Sequence, residues 1–206
     1  MRHRRAPRFA RKDCSIPPMD AMHLLLSRAS NGRLTEPAPD DSALAQCFAA
    51  AVRAPDHGLL RPFRFHVIRG DARHALGQLM GAAHKARNPD ASADAVEQQS
   101  KKALRAPLII VVSAVVQDHP KVPRIEQVLA AGAAAQNILL ALAAQGYAAI
   151  WRTGPVAYDQ AAKAAFGLRA DDALVALLYV GTPQSPPPPL ERPVASELVQ
   201  EWPGHA

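Results

Sequence analysis

The stretch PRIEQVLAAGAAAQNILLALAAQGYAAIWRTG, residues 123–154, decides the fold of this chain. From Pro123 to Gln145 it has a proline in a first helical turn, an early acid, and Leu, Ile or Ala on nearly every side. Such a helix is buried all round, and its alanines allow another helix to approach closely. We therefore predict a central helix with the subunit core on one side and a subunit interface on the other.

The residues after this helix predict a short strand that ends in polar and aromatic side chains. Ala149 and Ile150 are apolar, whereas Trp151, Arg152 and Thr153 supply a flat ring, a fixed cation and a hydroxyl. This set suits a planar, anionic cofactor, and flavin mononucleotide (FMN) is the leading candidate. Taken alone, the same residues are more often a strand edge with a core Trp and a solvated Arg.

The rest of the chain alternates between helical and strand patterns. The apolar run at residues 107–115 predicts a central strand that is buried on both faces. No Gly-x-Gly-x-x-Gly sequence follows a strand, so the pattern does not support a Rossmann-type dinucleotide site. The polar segment that ends at Leu104 is typical of a surface flap. Further helices are predicted at 20–29, 42–53, 71–86 and 160–166, and further strands at 63–68 and 173–180.

Composition fits one folded unit with a basic extension. The chain has 206 residues, is 49% hydrophobic and carries a formal charge of +6. Six of its 24 basic residues precede Asp13, the first acid, so the remaining chain balances 18 basic against 18 acidic residues. We predict a disordered basic arm at 1–18, a folded domain at 19–183 and a proline-rich tail at 184–206. A nucleic-acid-binding arm is a more distant alternative.

The same sequence gives expectations about the cellular compartment. Residues 1–18 lack the apolar run of a secretory signal, and we expect no membrane span. Two cysteines provide neither a disulfide framework nor a metal cluster, so a reducing cytoplasm is expected and a bound metal is not.

Three further motifs accompany the Ile-Trp-Arg-Thr-Gly strand. The first, RASNGR at 28–33, has two arginines and a serine that can converge on a phosphate, or it is a helix end capped by Gly32. The second is RAPDH at 53–57, and the third is KVPRIEQ at 121–127. With these four motifs in order, residues 19–183 resemble the FMN-dependent NAD(P)H nitroreductase family, in particular its small minimal-domain branch.

The resemblance implies a three-layer nitroreductase-like α+β fold, with a mixed central sheet flanked by helices. It also implies a homodimer with two FMN sites at the subunit interface. Hydride would pass from NAD(P)H through flavin N5 to a nitroaromatic, a quinone or a similar electron-poor acceptor, by a ping-pong mechanism. A non-catalytic flavin-binding or sensor protein of the same fold is the alternative.

The resemblance also implies site residues. Flavin N5 carries the chemistry, so no catalytic side chain is predicted. The loop with Arg53 and His57 usually approaches the flavin from the partner subunit, and Arg152 is expected near the phosphate or the N1–C2=O edge. A further stretch matches one that is associated with NAD(P) in the family, but in this sequence it fits a helix end and core equally well. It comprises Ala141, Leu142, Ala143, Ala144, Gln145 and Gly146. The predicted FMN contacts are Arg28, Ala29, Ser30, Arg33, Arg53, His57, Trp151, Arg152 and Thr153.

The chain departs from the family pattern at three places. The double arginine of the first motif is Arg28-Ala29 here, and the aromatic that often follows Lys-Val-Pro-Arg is Ile125. The usual Gln-Pro-Trp is Arg61-Pro62-Phe63, which replaces a neutral side chain by a cation. These departures leave the choice of substrate open.

Overall fold

A five-stranded sheet organises the chain in the computed structural model, which describes residues 20–187 and 189–204. The predicted basic arm at 1–18 lies outside these residues. Strand β5 pairs with β1, β3 and β4, and β3 also pairs with β2, each time in antiparallel orientation. The strands are β1 (Leu34–Thr35), β2 (Phe63–Arg69), β3 (Leu108–Ala114), β4 (Ala148–Arg152) and β5 (Ala173–Pro183).

Strand β3 lies at the centre of the molecule. Every residue of β3 is buried, and its neighbours β2 and β5 satisfy its backbone hydrogen bonds on both edges. The register places Ile109 opposite Tyr179 and Ile110 opposite Leu178. The prediction of a central strand buried on both faces is confirmed.

Helices cover both faces of the sheet. Asp20, Asp40, Ser92 and Asp159 each accept a hydrogen bond from a backbone N–H of the first turn that follows, which explains where four of the helices begin. The helices are α1 (Ala21–Ser27), α2 (Asp41–Ala51), α3 (Ala72–Arg87), α4 (Ala93–Lys101), α5 (Arg124–Ala144) and α6 (Gln160–Ala165).

The two faces of the sheet form separate apolar clusters. One cluster contains residues of α2 and α5, such as Leu44 and Ile138. The other contains residues of α3 and α6, such as Leu76 and Ala162. The predicted three-layer α+β architecture is therefore confirmed, with the difference that the strand pairings of the described residues are all antiparallel where a mixed sheet was expected. The apolar residues at 194–202 form only a single 3-10 turn, and Leu198 and Trp202 are exposed.

Helix α5 is the central helix that the sequence predicts. Ala131, Ala134 and Ala135 are fully buried against the sheet and α2, whereas Ile125 and Leu129 are 58% and 63% exposed in the single chain. With 21 residues and a mean hydropathy of 1.5 over an 18-residue window, α5 is long and apolar enough to cross a membrane, although we expected no such span from the sequence. Its packing against α2, β3 and β5 is that of a core helix.

A buried carboxylate fixes the chain where β3 ends. Asp172 accepts hydrogen bonds from the backbone N–H of Val116 at 2.8 Å and of Arg169 at 2.7 Å, and it also pairs with the Arg169 guanidinium. Burial by itself would raise the pKa of Asp172, but these hydrogen bonds and the Arg169 charge hold it below its ordinary value. The carboxylate is therefore charged at neutral pH.

Candidate functional site

The segment at residues 28–33 lies against the end of β4. The backbone N–H of Asn31 donates to the carbonyl of Ala149 at 3.1 Å, which fixes the segment beside the strand. A Cβ atom at Gly32 would lie 3.6 Å from Nη2 of Arg152, so the guanidinium sits directly against the backbone. The two motifs line a cavity of about 390 Å³, whose residues are Ser30, Asn31, Gly32, Arg33, Ile150, Arg152 and Pro186.

The beginning of the proline-rich tail supports this segment. Asn31 is 3% exposed, and its side-chain amide donates to the carbonyl of Ser185 at 2.7 Å. The backbone N–H of Gln184 donates to the carbonyl of Arg33 at 3.0 Å, and Arg192 donates to the carbonyl of Arg28 at 3.3 Å. The tail therefore forms the outer support of the segment.

A neighbouring cavity of about 210 Å³ contains the remaining residues of the first motif. Arg28 and Ala29 line it together with Ala143 and Gly146, two members of the stretch predicted to contact NAD(P). Within the same stretch, Leu142 is fully buried and the amide of Gln145 donates to Sγ of Cys47 at 3.2 Å. Burial raises the pKa of the Cys47 thiol. Ala141 and Ala144 belong to the last turn of α5.

A second large cavity lies on the other side of Arg152. It has a volume of about 380 Å³, and Trp151, Arg152, Thr153 and Gly154 form one wall. The Trp151 ring also packs against α5, since a Cβ at Gly132 would lie 3.9 Å from it. The remaining wall comprises Met80, Gln99, Lys102, Arg105, Pro155, Val156 and Tyr179.

The two cavities on either side of Arg152 are strongly cationic. Neither is lined by an aspartate or a glutamate. Within residues 20–187 and 189–204, Lys102, Arg105 and Arg152 form no ion pair. Unpaired cations around a concave surface attract an anion, and guanidinium groups suit phosphate in particular. The arrangement fits an elongated ligand that carries negative charge.

His57 lies at the N-terminal end of α5, whereas Arg53 lies beside its second half, because the backbone N–H of Arg53 and the side-chain amide of Asn137 both donate to the carbonyl of Ala50 at 3.1 Å. Nδ1 of His57 contacts the carboxylate of Glu126 in the first turn of α5. Leu139, which lines the cavity of Arg28, is about 20 Å further along the helix at 1.5 Å per residue. A single chain therefore does not bring His57 to Arg28.

The loop that follows His57 is rigid and strained. Leu59 and Arg61 have φ angles of 53° and 50°, a region that side chains other than glycine rarely adopt. Carboxylate Oδ2 of Asp56 accepts from the N–H of Arg61, and the amide of Gln117 donates to the carbonyl of Leu60, each at 2.7 Å. Each strained residue costs about 1–3 kcal/mol, which the surrounding contacts must offset.

Comparisons with known proteins agree with this geometry. The sequence model of the nitroreductase family matches residues 25–182. The chain belongs to the nitroreductase family. It is 40% identical over 166 residues to the Escherichia coli (strain K12) protein named "Putative NAD(P)H nitroreductase YdjA", covering 81% of this chain and 90% of that protein.

Solved structures of other nitroreductases share the fold. A nitroreductase-like family protein from Bacillus cereus superposes with a TM-score of 0.76 at 21% identity, covering 92% of this chain and 99% of the other. A "putative nitroreductase in complex with FMN" from Desulfovibrio desulfuricans has a TM-score of 0.66 at 25% identity, covering 89% and 97%.

Sequence reasoning missed one wall of this nitroreductase-family site. Gln99, Lys102 and Arg105 lie on α4 and the turn after it, which we predicted to be a surface flap. A polar helix that faces a cavity has the same composition as one that faces solvent, so no motif marks these residues. The one available signal for this wall is the spacing of Lys102 and Arg105, which lie three residues apart just before a buried strand. Among the described residues, no group of His, Cys, Asp and Glu could hold a metal ion.

Proposed function

We propose that this chain is an FMN-dependent oxidoreductase. It takes hydride from NAD(P)H and delivers it to a nitroaromatic, a quinone or a similar electron-poor acceptor, with both substrates using one site in turn. The observation that carries the proposal is the pair of adjoining cationic cavities that meet at Arg152 and lack any acidic lining residue. The FMN bound to the Desulfovibrio relative and the NAD(P)H in the name of the Escherichia relative support the same assignment.

The residues present fit the chemistry of FMN. Arg28, Ser30 and Arg33 would hold the phosphate and ribityl oxygens, because guanidinium and hydroxyl groups are donors to such oxygens. The wall with Trp151 and Thr153 would receive the ring system. When bound, the flavin supplies hydride acceptance and donation.

The chain itself contributes positive charge and exclusion of water. Lys102, Arg105 and Arg152 would stabilise negative charge on the ring system, which favours hydride acceptance. Tyr179 closes the inner end of this cavity, and burial raises the pKa of its phenol, so the hydroxyl stays neutral at physiological pH.

The proposal includes a homodimer. Exposed Ile125 and Leu129 on α5 are apolar surface that a second copy would cover. His57, which lies about 20 Å from the Arg28 cavity along α5, would then contribute to the site of the partner subunit together with Arg53. We place this enzyme in the cytoplasm, supported by the buried free thiol of Cys47.

The visible absorbance spectrum of the purified protein tests the cofactor. We expect a yellow protein that releases FMN on denaturation, and that NADH or NADPH bleaches anaerobically. Steady-state rates at several concentrations of both substrates should give parallel double-reciprocal lines, as a ping-pong mechanism requires. A yellow protein that neither nucleotide bleaches would instead be a non-catalytic flavin-binding protein, and a colourless protein that does not take up FMN would contradict both assignments.

A further inference from the structure

We propose that Arg61 binds the pyrophosphate of the reduced nicotinamide dinucleotide. This inference rests on the proposed function and assigns a residue to its reductant. The structure places Arg61 in a cavity of about 440 Å³ at the loop end of α2, separate from the cavities around Arg152. The lining residues are Val52, Arg53, Ala54, Asp56, Leu59, Arg61 and Phe63.

The charges in this cavity favour an anion. Among the residues that the structure describes, neither Arg53 nor Arg61 forms an ion pair. Asp56 is the one acid in the lining, and its Oδ2 accepts a hydrogen bond from the backbone N–H of Arg61 rather than from a side chain. The lining thus carries two arginines and one aspartate, and the carboxylate of that aspartate is already engaged by a backbone N–H.

The backbone geometry imposes the position of Arg61. Its φ angle of 50° is unfavourable for arginine, and the following Pro62 further disfavours it, because a residue before proline prefers an extended backbone. The Asp56 carboxylate holds the N–H of Arg61, and the Arg64 guanidinium donates to its carbonyl at 2.8 Å. These contacts hold the Arg61 backbone beside the cavity in a conformation that costs free energy.

The reaction determines which anion is needed. The proposed function commits Arg53 to the partner's FMN, which leaves the charge of Arg61 unused at the same loop. A nitroaromatic or quinone acceptor needs no charge, whereas NADH and NADPH both carry a pyrophosphate. The nicotinamide ring must reach the flavin, so the pyrophosphate is the second anion that the protein must accommodate, and it is common to both reductants.

Anaerobic reduction of the FMN-loaded protein by NADH tests the proposal, with the bleaching of the flavin as the signal. We expect Arg61→Gln to raise the Kd of NADH for this step about two- to fivefold at low salt, with the limiting rate unchanged. The difference shrinks as salt rises, because the Debye length falls below about 8 Å. Arg87→Gln, an exposed arginine near the end of α3, is the matched control and should match the wild type.

A second hydride donor separates nucleotide binding from effects on the flavin. 1-Benzyl-1,4-dihydronicotinamide lacks phosphates, so we expect it to reduce the wild type and Arg61→Gln at the same rate. An unchanged Kd for NADH at low salt overturns the inference, and so does an equal loss with both donors. A wild-type flavin that neither donor reduces overturns the proposed function itself.

Discussion

Two groups of predicted cofactor residues differ in how the chain holds them. The β4 group, residues 28–33 and 151–153, is assembled within one chain by backbone pairing and by the tail. The loop group, residues 53–61, runs from beside Asn137 to the first turn of α5 and includes a strained stretch that presents Leu59 with 77% of its surface exposed. The difference teaches that, under the proposed function, one chain builds only part of the site and the loop group would serve a neighbouring molecule.

Separating the subunits should have the largest effect on FMN binding. We expect Leu129→Arg to yield monomers that lose most of their FMN, because a charge would replace apolar surface between the copies. Size-exclusion chromatography and flavin absorbance measure both quantities. Ala82→Arg, at an exposed position of α3, is the control. Fully buried Ala134 is unsuitable, since a charge there would unfold the subunit. A Leu129→Arg monomer with full FMN content would show that the loop group is dispensable.

Mixed dimers test whether the two groups serve each other's chains. Arg152→Ala and His57→Ala should each weaken FMN binding about tenfold to a hundredfold, because each removes a charged or polar contact to the cofactor. Dimers that combine one chain of each variant should regain one intact site, and thus half of the wild-type FMN content. If both groups served the same chain, the mixed dimers would have no intact site and would stay as weak as their parents.

A substitution outside both groups should change stability alone. Asp172→Asn should lower the free energy of unfolding by about 1–2 kcal/mol at pH 7 and leave the Kd of FMN unchanged. The folded-state pKa of Asp172 is below its ordinary value, so its carboxylate stabilises the fold above about pH 4, and this contribution is lost as the pH falls through the folded value. Urea unfolding should therefore show the two proteins converging in acid, whereas a constant difference would assign the effect to packing.

The sequence predicts some parts of this molecule well because their signals are local. The apolar run of β3 and the alanine-rich α5 are each continuously apolar, and burial on both faces or on all sides explains each of them. The wall formed by Lys102 and Arg105 could not be predicted, because only tertiary packing turns a polar helix towards a cavity. The contact between Asn31 and Ser185 joins residues 154 positions apart, and neither residue carries a local sign of it.

The support that the tail gives to residues 28–33 also sets an order of events during synthesis. The segment with Arg28 is among the first parts of the domain to leave the ribosome, whereas Gln184, Ser185 and Arg192 are among the last. Nascent domains fold as units, so the segment acquires its support only after residues 184–192 have left the ribosome. Ribosome-bound chains that stop before residue 184 should therefore capture the cofactor poorly, and loading becomes a late step of biogenesis.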